Sequence, residues 1–233
     1  GSFIMGKPLN SGFNTALFGT RYHPHDRAVN EFFMLDREVT NGQFGAFIAE
    51  NPQWGPEGKA DLIRAGLVTE DYLSAFHADK PELPVTYVSY HATKAYCAWL
   101  QNRLPEIMHS FTVRLPLEAE WEWAARSNTD SSLFFGAGVS GAAGVGGRTA
   151  GELGLFDLSG NVMEWCENWY QPGAYIFASL PAPFDVGSER CVRGGSWAIP
   201  QDKYSPVLRG SQPPAFCTPF LGFRPVIVRS GRS

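Results

Sequence analysis

Long hydrophobic runs and strong charge are both missing from this chain of 233 residues. No apolar stretch approaches the roughly 18 residues of a membrane-spanning helix, and no secretory signal peptide is recognisable. Charged residues make up only 18%, the formal net charge is −4, and the 19 lysines and arginines are spread along the chain. Because a nucleic-acid or anionic-membrane surface needs clustered basic residues, we expect neither partner.

Cysteines are few, and their spacing is not that of a metal site. The four are Cys97, Cys166, Cys191 and Cys217, and the lack of a Cys-x-x-Cys pair argues against a zinc knuckle or a thioredoxin-type redox site. Their even number leaves disulfides open. The Gly-x-Ser-x-Gly, His-Glu-x-x-His and phosphate-loop motifs of common hydrolases, metalloproteases and nucleotide-binding proteins are also lacking.

Aromatic and turn-forming residues are abundant instead. Aromatics reach 14%, and 25 glycines with 17 prolines favour short strands, long loops and few helices. The apolar content of 44% is typical of a globular chain, and at this length a core can form without a disulfide or metal. We therefore expect that no cofactor is required.

Local patterns predict helices in the first half of the chain and strands with long loops in the second, which indicates an α+β fold. Thr40 and Gln43 predict a capping box at the start of one helix. Strands are predicted over 84–89 and 221–228, and the segments 51–82 and 127–151 are interpreted as peripheral insertions. No linker separates two domains, so residues 1–233 are predicted to form a single domain.

Two groups of acidic residues are candidates for chemistry. Glu118 and Glu122 share one face of a predicted helix, but such pairs are usually solvated or capping, so no catalytic dyad is assigned to them. The turn with Asp157, Asn161 and Glu164 is rich in oxygen donors, as a hard cation such as calcium requires. Asx-turns that shape a tight corner before a strand explain the same residues equally well.

Several segments together, in order and spacing, resemble one family over essentially the whole chain. They are residues 1–6, 38–41, 84–89, 95–100, 114–126, 154–165, 192–197 and 221–224. The resemblance is to the formylglycine-generating-enzyme, or sulfatase-modifying-factor, branch of the C-type lectin fold. It implies an α+β C-type lectin domain with a structural calcium held by the Asp157 side chain and by the carbonyls of Gly160 and Val162.

The enzymes of this family oxidise a substrate cysteine with two active-site cysteines that follow a Gly-Gly-Ser-aromatic motif. The matching positions in this chain are Ile199 and Tyr204, and neither can supply a thiolate for copper binding or redox chemistry. The resemblance therefore predicts that the chain is not an enzyme. A formylglycine-generating-type oxidase, or a catalytically inactive relative that binds a partner enzyme, is the alternative.

Residues 191–228 also resemble the variable region of diversity-generating retroelement proteins, in which a C-type lectin scaffold displays a patch whose codons are rewritten at adenines. Between Trp197 and Leu221, prolines are frequent and Asn, Glu, Met and Trp are absent. Rewriting of Asn codons accounts for most of this composition. Gln201, Lys203 and Gln212 cannot arise in that way and require other template codons.

This second resemblance implies a non-enzymatic ligand-binding protein of the cell surface, exported as a lipoprotein, whose ligand is a protein or another cell-surface molecule. Prolines and aromatics on a loop fit an exposed contact surface, although an ordinary loop with inward aromatics is the alternative. Arg193, Trp197, Arg209 and Arg224 are expected to pin the scaffold. The predicted contact residues are Ala198, Ile199, Pro200, Asp202, Tyr204, Pro206, Leu208, Gly210, Ser211, Pro213, Phe216, Cys217, Thr218 and Phe220.

Overall fold

A computed structural model describes residues 1–5, 25–128, 140–172, 186–199 and 205–231. Within these ranges the α-helices all lie before residue 128, and the strands of the C-terminal half follow them. The helices are α1 Asn41–Glu50, α2 Lys59–Arg64, α3 Tyr90–Gln101 and α4 Glu118–Ser127. Short 3₁₀ turns occur at Pro52–Trp54, Pro56–Gly58 and Glu106–Met108.

The strands of the described ranges form three small sheets. They are β1 Ser2–Met5, β2 His25–Ala28, β3 Phe32–Met34, β4 Phe111–Arg114, β5 Met163–Trp169, β6 Arg190–Arg193, β7 Gly210–Gln212, β8 Leu221–Gly222 and β9 Val226–Arg229. The sheet orders are β1-β2, β3-β9-β4 and β7-β6-β5-β8. The β5–β8 pair is parallel, whereas β5–β6 and β6–β7 are antiparallel. This mixture of helices and sheets confirms the α+β prediction.

Side-chain caps start α1 and α3, and the cap of α1 is the one that the sequence predicts. The Thr40 hydroxyl accepts a hydrogen bond from the backbone N–H of Gln43 at 3.2 Å, and the Gln43 side chain accepts one from the Thr40 N–H at 3.0 Å. Ser89 caps α3 by accepting from the N–H of Ala92 at 3.1 Å. Each cap satisfies an N–H group that lacks a partner inside the helix, and the predicted capping box is confirmed.

Aromatic side chains join α1 and α3 to the C-terminal strands. Phe44 on α1 and Tyr96 on α3 stack with ring centroids 5.9 Å apart. Phe223, which follows β8, packs edge-on against Tyr96 at 5.2 Å and against Phe44 at 6.3 Å. These rings are buried, so the two helices and Phe223 form the part of the core that supports the C-terminal half.

Two predicted strands differ from the structure. Residues 84–89 form only an isolated bridge, Thr40 to Pro84, because Tyr87 takes a left-handed φ of 55° that interrupts extended pairing. The single strand predicted over 221–228 is divided into β8 and β9, which belong to different sheets. Both predictions were wrong in detail because partners distant in sequence determine which extended residues pair.

The segment 51–82 is part of the core, which its interpretation as a peripheral insertion did not anticipate. Its side chains Leu62, Val68, Tyr72 and Leu73 are buried in the same cluster as the helix aromatics. The Tyr72 hydroxyl also donates a hydrogen bond to the carbonyl of Trp54 at 2.8 Å. In the segment 127–151, residues 140–151 follow the predicted loop, whereas residues 129–139 lie outside the described ranges.

Candidate ligand-binding surface

The connecting segment (residues 194–220) joins β6 to β8 and begins at two glycines in the left-handed region. Gly194 has φ 100° and Gly195 has φ 70°, and a side chain at Gly194 would meet the Trp121 ring at 3.2 Å. The chain then turns, because the Trp197 N–H donates to the Asn161 carbonyl at 2.8 Å. Only glycine combines this backbone with this close approach.

The connecting segment is held to the rest of the protein largely through its backbone carbonyls. Backbone N–H groups from the segment 69–90 and from β5 donate to these carbonyls. The pairs are Thr69 to Ala215 (3.0 Å), Tyr87 to Thr218 (3.0 Å), Tyr90 to Pro214 (2.9 Å) and Met163 to Phe220 (2.7 Å). Because a carbonyl is present whatever the side chain, these bonds do not depend on the side chains of the connecting segment.

A buried ion-pair network forms the second support of the segment. Arg193 donates to Glu122 at 2.5 Å, to Glu118 at 3.2 Å and to the carbonyl of Pro206 at 2.9 Å. Arg209 donates to both Glu118 oxygens, at 2.5 and 2.8 Å. Thus α4 supplies two carboxylates that bind arginines at both ends of the stretch 193–209.

Burial makes these ion pairs strong determinants of the local structure. Glu118, Glu122, Arg193 and Arg209 all lie in the interior, so the expectation that the two glutamates are solvated or capping was wrong. Burial by itself raises the pKa of Glu118, but the charge and hydrogen bonds of Arg209 and the charge of Arg193 outweigh it and lower the pKa to about 2. Glu118 therefore stays ionised in the folded protein.

This lowered pKa predicts a specific pH dependence of stability. The pKa of Glu118 lies below its unfolded value of 4.5, so its stabilising contribution is present above about pH 4.5 and is lost as the pH falls towards 2. The difference in unfolding free energy between the wild type and Glu118→Gln should therefore shrink between pH 5 and pH 2. Urea denaturation across this range measures it, and a constant difference would contradict the lowered pKa.

Arg224 pins the chain just after the connecting segment. Its guanidinium donates to Glu164 on β5 at 2.8 Å and to the carbonyls of Asp36 and Phe156 at 2.8 and 2.7 Å. Glu164 also accepts from the Trp121 indole N–H at 2.8 Å. Arg224 is fully buried, so the framework roles predicted for Arg193, Arg209 and Arg224 are confirmed by their contacts.

The predicted contact residues fall into three groups. Exposed side chains belong to Ala198, Pro213 and Phe216, and partly exposed residues are Ile199, Pro206, Leu208, Gly210, Ser211 and Phe220. Cys217 and Thr218 are only 1% and 7% exposed, so they have almost no surface to offer a ligand and their prediction as contact residues is corrected. Pro200, Asp202 and Tyr204 lie outside the described ranges.

Two partly exposed residues are themselves held by neighbours. The ring of Phe220 packs 5.2 Å from that of Trp197, whose indole N–H reaches the Pro219 carbonyl at 3.5 Å. The Ser211 hydroxyl donates to Glu189 at 2.5 Å. Trp197 thus supports the surface as predicted.

The predicted calcium turn is tightly built. Asp157 and Asn161 both have left-handed φ values, 59° and 54°, and the Asp157 carboxylate accepts from the Gly146 N–H at 2.6 Å. Glu38, Asp157 and Glu164 all act on the pKa of the buried Arg224, and Asp157 acts on that of Arg37 as well. Burial raises the pKa of Glu38 well above its usual value, so the carboxylates at this turn are not a simple excess of negative charge. Among the described residues no three His, Cys, Asp or Glu side chains could hold a metal ion.

A calcium ion at this turn therefore depends on backbone oxygens. Asp157 would supply a carboxylate, and Gly160 and Val162 would supply carbonyls, which are the ligand types calcium prefers. Such an ion would neutralise part of the buried charge and fix the corner before β5. The calcium site stays a prediction.

The four cysteines have the properties of buried, unreactive thiols. All four are buried and unpaired in the structure. Burial raises the pKa of Cys97 to about 12 and raises the pKa of Cys166, Cys191 and Cys217 as well. Since the thiolate is the reactive form, burial opposes nucleophilic and metal chemistry at each.

Sequence reasoning missed the part that the segment 66–90 plays in this surface. Thr69 binds the connecting segment twice, through its N–H to Ala215 and through its hydroxyl, which accepts from the Cys217 N–H at 3.2 Å. Val68 precedes Thr69, and the backbone N–H of Tyr72 donates to the Thr69 carbonyl at 3.0 Å. Both Val68 and Tyr72 are buried, four residues apart. The spacing of these two apolar residues was the sequence signal for a buried turn. The polar residues around them led instead to the interpretation of a peripheral insertion.

Comparisons with known proteins agree with this architecture. The profile of the sulfatase-modifying factor enzyme 1-like domain matches residues 1–143 and 135–229. The formylglycine-generating enzyme of Streptomyces coelicolor is 27% identical over 291 residues, covering 96% of this chain and 86% of that protein. Other curated relatives are longer, and the chain spans only 34% of the serine/threonine-protein kinase Pkn1 of Chlamydia trachomatis.

Solved structures with the same fold include two bacterial proteins. PvdO from Pseudomonas aeruginosa has a TM-score of 0.71 at 21% identity, covering 98% of this chain and 91% of that chain. Variable protein 1 of Treponema denticola has a TM-score of 0.69 at 21% identity, with 98% and 92% covered.

None of the helices in the described ranges combines the length and the apolar character that a membrane span needs. The family match extends over nearly the whole chain. The chain belongs to the sulfatase-modifying factor enzyme 1-like family and has the C-type lectin-like fold of its formylglycine-generating-enzyme branch.

Proposed function

We propose that this protein is a non-enzymatic ligand-binding protein whose contact surface is built from residues 198–220 and diversified by a retroelement. Its ligand is a protein or another cell-surface molecule, and the protein itself is displayed at the cell surface. One observation carries the proposal. The connecting segment is held by bonds to its backbone carbonyls, so exposed side chains can change without loss of the supports.

The distribution of burial within the segment supports this division of roles. Val207, Arg209, Cys217 and Thr218 are buried and belong to the framework. Residues 210–216, which lie between Arg209 and Cys217, are all exposed or partly exposed. The backbone N–H of Phe216 donates to the Pro213 carbonyl at 2.9 Å in a tight turn. A surface whose shape is set by buried neighbours can accept many side chains at the positions between them.

The exposed side chains suit recognition of a macromolecular surface. Phe216 and Phe220 offer large apolar contact areas with few rotatable bonds, and the prolines hold the loops rigid, so little conformational entropy is lost on binding. Tyr204 is proposed as a further aromatic anchor, and Asp202 and Ser211 as polar contacts. Aromatic anchors ringed by less important contacts are typical of protein–protein binding sites.

An oxidase of the formylglycine-generating type is the second candidate, favoured by relatives named formylglycine-generating enzyme and hercynine oxygenase. The chemistry of this chain is against it. Ile199 stands at one family cysteine position and Tyr204 at the other, and Cys191 and Cys217 are buried with raised pKa values. A catalytically inactive relative that binds a partner enzyme would share the surface but would have no diversified gene segment.

The gene itself provides the deciding test. We expect a near-repeat of the coding region for residues 191–228 close to the gene, differing from it almost only at adenines of the repeat. Mismatched codons should encode exposed positions such as Pro213 and Phe216, and not the buried Arg209. Sequencing of the locus in several isolates measures this. Absence of a repeat, or mismatches spread evenly over all bases, would overturn the diversification proposal.

A biochemical assay separates the two candidate functions. We expect the purified protein, supplied with copper(I), oxygen and a cysteine-containing peptide, to leave that peptide unchanged, because neither family position carries a thiol. Mass spectrometry detects conversion of the cysteine to formylglycine. The formylglycine-generating enzyme of Streptomyces coelicolor is the positive control, and copper-dependent conversion by this protein would contradict the proposal.

A further inference from the structure

Two of the buried thiols lie on neighbouring strands and on the same face of the sheet. Cys166 is on β5 and Cys191 is on β6, which pair antiparallel with Trp165 opposite Val192. Trp165 and Val192 point into the cluster around the helix aromatics, whereas Cys166 and Cys191 both pack in the other cluster, with Trp121. Cys166 follows Trp165 on β5, and Cys191 precedes Val192 on β6, so each cysteine is next to a residue of the same strand pair. Both thiols therefore lie on the same face of the sheet.

This arrangement suits a cross-strand disulfide. Opposed residues of an antiparallel pair have Cα atoms about 4.5–5.5 Å apart, within the range of about 4.4–6.8 Å that a disulfide spans. Regular pairing stops at Trp165 and Val192 and resumes at Trp169 and Arg190, so the two cysteines border the irregular part of the ladder. Cys191 lies close enough to Cys166 to act on the pKa of its thiol. Cys97 and Cys217, in contrast, pack in the cluster around the helix aromatics.

Both thiols also lie beside Glu118, the central acceptor of the ion-pair network. The Cys191 thiol donates to Glu118 at 3.4 Å, and the Glu118 charge acts on the pKa of Cys166. A disulfide would remove this thiol donor, while Glu118 would keep its bonds to Arg193 and Arg209. The framework would then be closed covalently next to the site where it holds the connecting segment.

We propose that Cys166 and Cys191 are a disulfide-forming pair that closes β5 to β6 when the chain folds under oxidising conditions. Each thiol loses its proton and the pair loses two electrons, which pass to an external disulfide such as oxidised glutathione, reducing it to two thiols. The reaction proceeds by thiol–disulfide exchange through a mixed disulfide.

Burial determines when the bond forms. Both residues are 0% exposed, and burial raises the pKa of each thiol, so the folded, reduced protein offers little thiolate to an oxidant. The bond should therefore form during folding, before the sheet closes over the thiols. Oxidised glutathione added to the folded, reduced protein should act far more slowly.

Refolding with and without an oxidant tests the pair. The full chain is reduced, unfolded in guanidinium and refolded with a mixture of oxidised and reduced glutathione, then denatured and treated with N-ethylmaleimide. We expect alkylation at Cys97 and Cys217 only, and a peptide linking Cys166 to Cys191 by mass spectrometry. Alkylation at all four cysteines, or a link that includes Cys97 or Cys217, would overturn the proposal.

Two double variants provide the matched controls. Cys97→Ser/Cys217→Ser keeps only the proposed pair, and its oxidised form should lose about 5–10 °C in Tm on reduction, since a disulfide restricts the unfolded chain. Cys166→Ser/Cys191→Ser should show no effect of reductant on Tm. Equal responses of the two variants would contradict the assignment, and neither result depends on whether the contact surface binds a ligand.

Discussion

Replacement of Glu118 by glutamine should lower the free energy of unfolding at pH 7 by about 3–5 kcal/mol, because removal of one partner leaves buried charge unpaired. Glu118 accepts from Arg193 and from Arg209, and both arginines are at most 3% exposed. Glutamine keeps the size of the side chain and removes only its charge. Urea denaturation followed by tryptophan fluorescence measures the loss.

Glu50→Gln is the matched control for this variant. Glu50 also pairs with an arginine, Arg103, and accepts from the Trp99 indole N–H at 3.3 Å, but it lies at the surface. Water solvates both partners there, so the urea midpoint should stay within experimental error of the wild type. If Glu118→Gln behaved like Glu50→Gln, the buried network would not be what holds the connecting segment.

Truncation of Phe223 to alanine should cost about 3–5 kcal/mol, whereas truncation of Phe216 should cost less than about 1 kcal/mol. Phe223 is fully buried between Phe44 and Tyr96, so its loss opens a cavity in the main core. Phe216 lies in the proposed contact surface and is 37% exposed. The two variants share residue type and chemical change, and thermal and urea denaturation compare them directly.

The pair of variants tests the separation of framework from contact surface. Phe216→Ala should keep the wild-type circular dichroism spectrum and a single cooperative transition. Equal destabilisation by both variants would mean that Phe216 packs inward as part of an ordinary loop. That result would remove the physical basis for a surface that tolerates diversification, because each change there would then disturb the core.

Local signals explain why the helices were predictable. The capping box of Thr40 and Gln43 involves only neighbouring residues, and so does the apolar spacing of Phe44 and Phe47. Interactions over three or four residues operate in any helix, whatever surrounds it. The α+β class followed from such local patterns, whereas the family followed from the resemblance of several short segments to its motifs.

Distant partners explain what was missed. The stretch 84–89 has the composition of a strand, but its N–H groups find partners in loops, as when Tyr87 donates to Thr218. Glu118 and Glu122 have the spacing of a solvated helix face, and only the arrival of Arg193 and Arg209 from β6 and the connecting segment makes their burial favourable. Neither outcome can be derived from neighbours in sequence.

The amino-acid sequence by itself determined the α+β class, the capped helices, the family and the lack of cysteine at Ile199 and Tyr204. Tertiary structure alone decided which side chains between Trp197 and Leu221 face solvent and that Cys166 lies beside Cys191. The physical reason is the sequence range of the interactions, because helix caps and the apolar contacts along a helix involve residues only a few positions apart. Burial, ion pairing and strand neighbours depend on segments that meet only after the chain has folded.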